Sequence, residues 1–410
     1  PKDLIGRAVA GQLLRSFRTR NYRQLWYADN LMTAAEQMEF LVLAWYVVTQ
    51  TTSPFWVALF AALRFTGTMF APFYGIVVDR YDRRKLLIFS RLGFAGIALC
   101  ILLLSFTGQL QIWHVFVLTA LAGMGRSFDN VTRQTFIADL VERGDLPNAI
   151  ALTRTGRDAT QIFAPIVGGV LLDLIGLNWT YLLVMALHLS GVFFMTLLRP
   201  PGRTPTARGS SVLSNLAESF RYAGKNQIIL ALLLLAFLVN LTGFPMTLGL
   251  APVYAKDVLG TTSTGLGLLL GAYSVGSFMG SIAIAGVADL RRLGRLMVLG
   301  AVVWHLGILV LSQTSWFGAA LAILALSGLA QALSMVTMSI LLLGNTSADI
   351  RGRIMGLRSL AVYGLPIGLL ISGGIADGVS VAAALAINGI VGMVVTVAIV
   401  LRFRGVWRLA

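Results

Sequence analysis

The feature that most limits what this chain can fold into is a series of twelve long apolar stretches. A helix needs about 20 consecutive apolar residues to cross the hydrocarbon core of a bilayer. Charged residues make up only 12% of the chain, about half of the fraction that is usual in soluble domains. We therefore predict an all-α integral membrane protein. The predicted spans are residues 22–49, 54–78, 86–107, 112–138, 147–173, 179–198, 227–255, 262–288, 296–313, 316–343, 354–376 and 379–401.

Lysine and arginine are distributed unevenly around these spans. Most of the 32 basic residues fall in the termini and in the loops after even-numbered spans, and Lys256 is assigned to the opposite face. Under the positive-inside rule, both termini are cytoplasmic. Because the basic residues flank spans, we expect contact with anionic lipid rather than with nucleic acid. No cleaved signal peptide is expected, since the N-terminal segment runs into a span without a small-residue cleavage site.

A polar, turn-rich segment divides the chain into halves of six predicted spans each. It contains Arg199-Pro200-Pro201-Gly202-Arg203, a run typical of a linker. The predicted domains are a cytoplasmic segment at 1–21, a six-helix bundle at 22–198, a linker at 199–226, a second bundle at 227–402 and a tail at 403–410. Apolar residues at helical spacing also predict short helices on the membrane surface at Leu4–Phe17 and Val212–Tyr222.

The two halves repeat short motifs in the same order. Gly75-Ile76-Val77-Val78-Asp79-Arg80 leaves the second span, and Gly286-Val287-Ala288-Asp289-Leu290-Arg291-Arg292 leaves the eighth. Likewise, Ala164-Pro165-Ile166-Val167-Gly168-Gly169 in span five is matched by Gly364-Leu365-Pro366-Ile367-Gly368 in span eleven. Internal repeats of this kind are typical of alternating-access transporters, with the substrate site near the midplane between the halves.

Charged residues inside the predicted spans are concentrated in the first half. Asp29, Glu36 and Glu39 fall within an arc of roughly 80° on one side of the first helix. Charge in a span costs about 2.5–3.5 kcal/mol on insertion scales, so such residues usually face a polar interior. The other charges assigned to span interiors are Asp129, Asp158, Arg64, Arg126, Arg133, Arg154, Arg157 and Arg358.

Two interpretations of this charged set remain open. Matched acids and arginines can neutralise one another as purely structural pairs. Alternatively, one carboxylate carries a coupling proton; Glu36 and Asp129 are the first candidates, followed by Glu39 and Asp29, and then by Asp158. Arg126 is the predicted partner of Glu36 and Asp129 and could release a proton by approaching either one, with Arg64, Arg157 and Arg154 as further cavity charges. Arg133 and Arg154 lie closer to the predicted cytoplasmic face and also suit a gate.

The second half offers neutral polar and apolar side chains for a substrate. Pro in Gly243-Phe244-Pro245 and in Gly364-Leu365-Pro366 predicts a break in spans seven and eleven, where an opened helix can line a cavity. The candidate substrate residues are Asn240, Phe244, Tyr273, Gln331, Met335, Arg358 and Tyr363.

The loop after the second span carries a family resemblance. Gly75-x-x-x-Asp79-Arg80-x-x-Arg83-Arg84-Lys85 resembles the signature loop of the major facilitator superfamily. Gly144-Asp145-Leu146-Pro147-Asn148-Ala149 and Arg351-Gly352-Arg353-Ile354-Met355-Gly356 resemble bacterial exporters of the enterobactin-exporter and macrolide-efflux type. Pro165, Gly168 and Gly169 are similar to the antiporter motif, with Ala164 in place of its first glycine. The resemblance implies the major facilitator fold, a proton-driven antiporter and a monomer.

The charges of the signature loop also suit a gate on the cytoplasmic side. Asp79 can face the positive N-terminal end of another helix, for which span eleven is the expected partner. Arg80, Arg83 and Arg84 can pair with Asp139 or Glu142 at the end of span four. Together with Gly75 and Arg133, these residues are predicted to close and release the cytoplasmic side. The alternative is that the basic residues only anchor the loop at the membrane.

We predict a proton-coupled exporter of an amphipathic small molecule, such as a drug or siderophore. Proton-coupled uptake and lipid or lysolipid flipping stay open as alternatives. A membrane enzyme is disfavoured because no nucleophile–base set is evident, and no phosphate-binding loop suggests direct drive by ATP. Cys100 is the only cysteine and His114, His188 and His305 are far apart, so no metal or other cofactor is expected. For His188 and His305, helix packing is the favoured role.

Overall fold

The computed structural model describes residues 15–142, 144–199, 221–286, 292–347 and 350–409, and these segments are helical. Most of the predicted surface helix at Val212–Tyr222, most of the linker at 199–226 and most of Leu4–Phe17 lie outside the described residues. The α-helices are α1 (Arg20–Gln50), α2 (Pro54–Leu63), α3 (Ala71–Arg80), α4 (Arg83–Phe106), α5 (Ile112–Leu140), α6 (Leu146–Thr196), α7 (Gln227–Thr242), α8 (Ser263–Gly286), α9 (Leu293–Leu311), α10 (Phe317–Gly344), α11 (Arg351–Leu360), α12 (Gly364–Gly378) and α13 (Val381–Arg402).

Nine helical segments within the described part of the chain are long and apolar enough to cross a membrane. Three features explain why nine segments are found where twelve spans were predicted. The predicted second span is divided among α2, a 3₁₀ turn at Thr66–Phe70 and α3. The predicted fourth span, α5, carries Arg126, Asp129 and Arg133, and predicted spans five and six both lie in α6. The protein is therefore an all-helical, multi-pass membrane protein.

The 51-residue helix α6 is interrupted at Gly176. Gly176 has φ +74°, ψ 179°, a conformation that side chains with a Cβ rarely adopt. The interruption falls between the predicted spans at 147–173 and 179–198. Thr180 Oγ1 donates to Gly176 O at 2.8 Å just after it, and Asn178 Oδ1 accepts a hydrogen bond from Ser105 Oγ of α4. Gly176 thus lets the chain change direction between two helical halves.

The two predicted helix breaks in the second half are confirmed. Helix α7 ends at Thr242, and after Gly243-Phe244-Pro245 the chain is π-helical at Met246–Leu250 and again at Tyr254–Val258. Pro has no backbone N–H, so a helix that contains it must leave one carbonyl without its usual donor. The second break is a 3₁₀ turn at Ala361–Tyr363 that separates α11 from α12.

The described residues form two compact units. Unit 1 falls within Pro1–Val42 and Arg64–Arg208, and unit 2 within Leu43–Leu63 and Gly209–Ala410. Helix α1 therefore contributes its first part to unit 1 and its last residues to unit 2, to which α2 also belongs. The boundaries 22–198 and 227–402 of the predicted bundles stay a prediction.

In unit 1, polar bonds join α1 to the first half of α6. Tyr22 Oη donates to Ala149 O at 2.8 Å, and Trp26 Nε1 donates to Leu152 O at 3.0 Å. Helix α4 packs on both α5 and α6, with Leu87 and Met195 fully buried. These contacts determine which side of each of the helices α1, α4, α5 and α6 faces the interior of unit 1.

In unit 2, small residues allow close contact between helices. A Cβ at Gly280 of α8 would lie 2.6 Å from Leu329 O of α10, and one at Gly300 of α9 would lie 2.8 Å from Ala330 O. Close backbone approach at small residues is a common way for helices to associate in membranes. Helix α2 packs on α12 in the same manner, where a Cβ at Gly373 would lie 3.3 Å from Phe55 Cα.

Candidate functional site: a buried charge network in unit 1

The first part of α1 supplies three carboxylates to the interior of unit 1, and α4 and α5 supply the arginines that meet them. Asp29 and Asp129 form one group with Arg91 and Arg133, which we call the Asp29 cluster. Arg91 donates from Nη2 to Asp29 Oδ1 and from Nε to Asp129 Oδ1, the latter at 3.3 Å. Arg133 lies 3.9 Å from Asp29 Oδ2 and 3.9 Å from Asp129 Oδ2. Two acids and two arginines balance one another here, as buried charges must.

Arg91 is a member of this cluster that the sequence analysis missed. Its side chain is fully buried (0% exposed), and Nη1 also contacts Met195 Sδ at 3.9 Å. The sequence did contain a signal for it. Arg91 follows Leu86-Leu87-Ile88-Phe89-Ser90 and lies six residues, about 9 Å along the helix axis, beyond Lys85. An arginine so far into an apolar run belongs with the span interior rather than with the basic anchors of the loop.

Glu39 is the centre of a second group, which we call the Glu39 cluster. Arg126 Nη2 donates to Glu39 Oε2 at 2.9 Å, and Tyr181 Oη donates to Glu39 Oε1 at 2.8 Å. His188 Nε2 lies 4.0 Å from Glu39 Oε2. Each oxygen of the carboxylate therefore accepts one hydrogen bond from a different helix, and Glu39 is held firmly.

Glu36 is held much more loosely than Glu39. Its Oε1 lies 4.0 Å from Arg126 Nε, and its side chain is 20% exposed. No hydrogen bond to the Glu36 side chain is found among the described residues. Arg64 lies in the electrostatic field of Glu36, Glu39 and Arg126, and its guanidinium carbon is 4.1 Å from the centroid of the Phe40 ring. Arg126 thus lies between two carboxylates: Glu39, which accepts two hydrogen bonds, and Glu36, which the described residues hold only by a longer ion-pair contact.

The charged residues at the start of α6 are more exposed than the two clusters. Arg154 Nε lies 3.7 Å from Asp158 Oδ2 one helical turn away, with side-chain exposures of 68% and 21%. Arg157 is exposed and forms no ion pair among the described residues. Arg154 and Asp158 therefore form an ion pair of their own, whereas Arg157 interacts electrostatically with Arg133, Glu36 and Asp29.

At the end of α5 the structure brings together Arg83 and Asp139, as the sequence analysis expected. Arg83 Nη1 donates to Asp139 Oδ2 at 2.6 Å. Arg84 Nη2 donates to Thr196 O at 2.6 Å, at the C-terminal end of α6, where a cation is favourable. Asp82 caps α4 by accepting from the backbone N–H groups of Arg84 and Lys85.

The other residues of the predicted gate contribute less to the described contacts. Arg80 is exposed, and a Cβ at Gly75 would meet no atom within 4 Å. The side chain of Asp79 lies outside what the structure describes. The gate role of these residues stays a prediction.

The antiporter-like motif lies in the first half of α6 and is buried. Pro165, Gly168 and Gly169 are all buried. A Cβ at Gly168 would lie 3.3 Å from Met38 Cα of α1, one residue before Glu39. The motif therefore sets how closely α6 approaches the part of α1 that carries the Glu39 cluster.

The predicted substrate residues of unit 2 are mostly engaged in local contacts. Asn240 Nδ2 donates to Ala236 O of its own helix at 2.8 Å. Phe244 packs edge-on against Trp304, with ring centroids 5.0 Å apart. Gln331 Oε1 accepts from Ser277 Oγ at 3.0 Å. Phe244 and Gln331 therefore make contacts between elements of unit 2, whereas Asn240 bonds within its own helix.

The other four substrate candidates are partly buried. The Tyr273 hydroxyl is shielded from solvent and has no hydrogen-bond partner in the described segments. Met335, Arg358 and Tyr363 are intermediate in exposure. The structure places no counter-charge within ion-pair distance of Arg358 among the described residues.

An all-helical, multi-pass protein with a buried ionic network is the class to which membrane transporters belong, because charges inside spans usually serve substrate or ion movement. The sequence profile of the family described as transmembrane secretion effector matches residues 12–406. The chain therefore belongs to this family of the major facilitator superfamily.

Relatives of the chain include several exporters. The enterobactin exporter EntS of Citrobacter koseri is 27% identical over 341 residues, covering 81% of this chain and 79% of the relative. The macrolide efflux protein A of Streptococcus pyogenes is 21% identical, covering 83% and 85%. The chloramphenicol resistance protein CraA of Acinetobacter baumannii is 26% identical over 60% of this chain and 57% of its own length.

Solved structures share the fold. A POT family transporter in complex with 5-aminolevulinic acid superposes with a TM-score of 0.79 at 10% identity, over 95% of this chain and 97% of that chain. A bacterial homologue of the human lysosomal transporter Spinster, in an inward-facing and unoccupied conformation, gives a TM-score of 0.66 at 15% identity over 95% and 96%. The fold is therefore that of major facilitator transporters.

Proposed function

We propose that the protein is a proton-coupled exporter of an amphipathic organic molecule, working by alternating access in the bacterial inner membrane. We also propose that the protein is a monomer with twelve spans in two six-helix bundles, and that both termini are cytoplasmic. The efflux function of the relatives supports the exporter class. The proton gradient is the proposed energy source, and no cofactor takes part.

The observation that carries the coupling proposal is the contrast between Glu36 and Glu39. Two hydrogen bonds hold Glu39, whereas Glu36 has one arginine at 4.0 Å and is partly exposed. A carboxylate that is neither tightly paired nor fully solvated can gain and lose a proton at little cost. Arg126 lies within reach of both acids, so its position links the charge of one to that of the other.

Asp29 and Asp129 are proposed to be structural rather than proton-carrying. Arg91 and Arg133 face both carboxylates, and Ser90 Oγ also donates to Asp129 Oδ1 at 3.2 Å. Protonating either acid would leave buried arginine charge without its partner, which is unfavourable. Of the two first candidates for the coupling proton, Glu36 is therefore preferred to Asp129.

The test is substrate accumulation in proteoliposomes driven only by an imposed pH gradient. The protein would be offered chloramphenicol, a macrolide and a catechol siderophore, as wild type, as Glu36→Gln and as Asp257→Asn. Asp257 is an exposed carboxylate of unit 2 and serves as the matched control. We expect the wild type and Asp257→Asn to concentrate at least one compound and Glu36→Gln to lose the effect. Gradient-driven accumulation that persists in Glu36→Gln would remove Glu36 from the coupling mechanism.

A further inference from the structure

His188 is a buried titratable side chain that the proposed mechanism does not yet use. It lies on the second half of α6, is 1% exposed, and stacks on Phe94 of α4 with ring centroids 6.2 Å apart. Neither ring nitrogen has a hydrogen-bond partner in the described part of the chain. A buried polar atom without a hydrogen-bond partner is energetically unfavourable. If His188 served only for packing, an apolar side chain would avoid this cost.

His305 shows what a packing histidine looks like in the same protein. It is also fully buried (0% exposed). Its Nδ1 pairs with Ala301 O at 2.8 Å and its Nε2 with the hydroxyl of Thr242 at 2.8 Å. Both nitrogens are satisfied, in agreement with the expected structural role. His188 differs in this respect and requires another explanation.

The position of His188 relative to Glu39 supplies that explanation. His188 Nε2 lies 4.0 Å from Glu39 Oε2, the same oxygen that accepts from Arg126 Nη2 at 2.9 Å. Two cations bound to one oxygen would repel each other, so Arg126 and a protonated His188 are alternative partners of Glu39. Arg126 also has another carboxylate within reach, because its Nε is 4.0 Å from Glu36 Oε1.

We propose that His188 is the second proton-binding group of the transporter, and that it takes a proton at Nε2 when Arg126 moves from Glu39 to Glu36. The proton comes from hydronium in the water that reaches the partly exposed Glu36 and Arg126: an O–H bond of hydronium breaks as the N–H bond at Nε2 forms, and a water molecule is left. When Arg126 moves back, the N–H bond breaks and the proton returns to water. The inference rests on the proposed function, because it links an arginine movement to proton uptake.

Charged and titratable groups surround His188 from every packed helix. The carboxylates of Glu39 and Glu36 lie on α1, and the guanidinium groups of Arg126 and Arg91 lie on α5 and α4. A nearby negative charge favours a protonated imidazole, and a nearby positive charge disfavours it. Tyr181, two turns earlier on α6, donates to the other oxygen of Glu39. Arg91 is held in the Asp29 cluster, so we expect the movement of Arg126 to decide whether His188 is neutral or protonated.

Histidine NMR tests this directly, because the chain contains only three histidines. Protein with ¹⁵N-labelled histidine would be titrated in detergent from about pH 5 to pH 8, where an ordinary histidine changes charge. His188→Gln and His305→Gln assign the signals. We expect His188 to stay neutral in the wild type, to become protonated in Arg126→Gln, and to be neutral again in Arg126→Gln with Glu39→Gln. The His305 signal should be the same throughout.

Two outcomes would overturn the proposal: a neutral His188 in Arg126→Gln over the whole range, or a protonated His188 that persists when Glu39 is also replaced. Should Arg126→Gln not fold, the ratio of protons to substrate in proteoliposomes decides the matter. That ratio should fall in His188→Gln and stay unchanged in His305→Gln; an unchanged ratio in His188→Gln would overturn the inference. Because NMR needs no transport, its failure is separate from failure of the proposed exporter function.

Discussion

Arg91 is a buried charge whose removal should destabilise unit 1. It is fully buried and its guanidinium meets both Asp29 and Asp129. Removing one partner of a buried ion pair leaves uncompensated charge and costs about 3–5 kcal/mol. We expect Arg91→Met to lower the thermal unfolding temperature strongly, and Arg18→Met, at an exposed arginine, to leave it unchanged.

The same charge balance predicts a rescue. In the Arg91→Met background, Asp29 and Asp129 have only Arg133 between them as an ion-pair partner in the described residues, and replacing Asp29 by Asn removes the excess negative charge. We therefore expect the double variant to unfold at a higher temperature than Arg91→Met alone. Thermal unfolding in detergent, followed by tryptophan fluorescence, would measure this. A double variant that unfolds at the same temperature as Arg91→Met, or at a lower one, would contradict the assigned pairing.

At the residue scale, sequence reasoning found the acids but not all of their partners. Asp29, Glu36, Glu39 and Asp129 stand out as charges in apolar runs. Which arginine meets which acid depends on helix packing across the unit, and this is why Arg91 was left out. The environment of His188 likewise depends on how α6 packs against α1 and α4.

At the element scale, close helix contacts depend on individual glycines. A Cβ at Gly67, in the 3₁₀ turn between α2 and α3, would lie 2.5 Å from both Gly123 O and Met124 Cα of α5. Backbone atoms cannot move aside as side-chain ends can, so overpacking here should cost about 1–3 kcal/mol. We expect Gly67→Ala to lower thermal stability.

Gly96→Ala in α4 is the matched control for this change, because no atom lies within 4 Å of its Cβ position. Helix propensity favours alanine there by up to about 1 kcal/mol. Gly96→Ala should therefore be neutral or stabilising in the same unfolding assay. Equal destabilisation by both substitutions would show that glycine flexibility, rather than contact with α5, sets the effect.

The sequence predicted some helix interruptions and not others. Proline marks the breaks at Gly243-Phe244-Pro245 and before Pro366, and both predictions are confirmed. The second span was expected to be continuous over 54–78, whereas a 3₁₀ turn divides it at Thr66–Phe70. Pro72, in the first turn of α3, is a local signal for this division that the sequence analysis did not use. Within the 3₁₀ turn, Thr66 Oγ1 donates to Ala120 O of α5 at 2.8 Å.

At the scale of the whole molecule, the number of spans can be tested at Gly176. If α6 crosses the membrane twice, the residue after Gly176 lies at the outer surface. In a Cys100→Ser background, we expect Leu177→Cys and Gln109→Cys to react with a membrane-impermeant thiol reagent added to intact cells. Tyr81→Cys, in the loop between α3 and α4, should react only after the cells are opened. Protection of Leu177→Cys in intact cells would contradict twelve spans.

The measurement that tests the central claim most directly is the sign of the pH change inside proteoliposomes when substrate is added outside. With antiport, substrate enters as protons leave, and the lumen becomes alkaline. We expect this response in the wild type and in Asp257→Asn, and its loss in Glu36→Gln. Acidification of the lumen would instead establish uptake by symport, and lipid-dependent transport without any pH change would favour the flippase alternative; either result would contradict proton-coupled export.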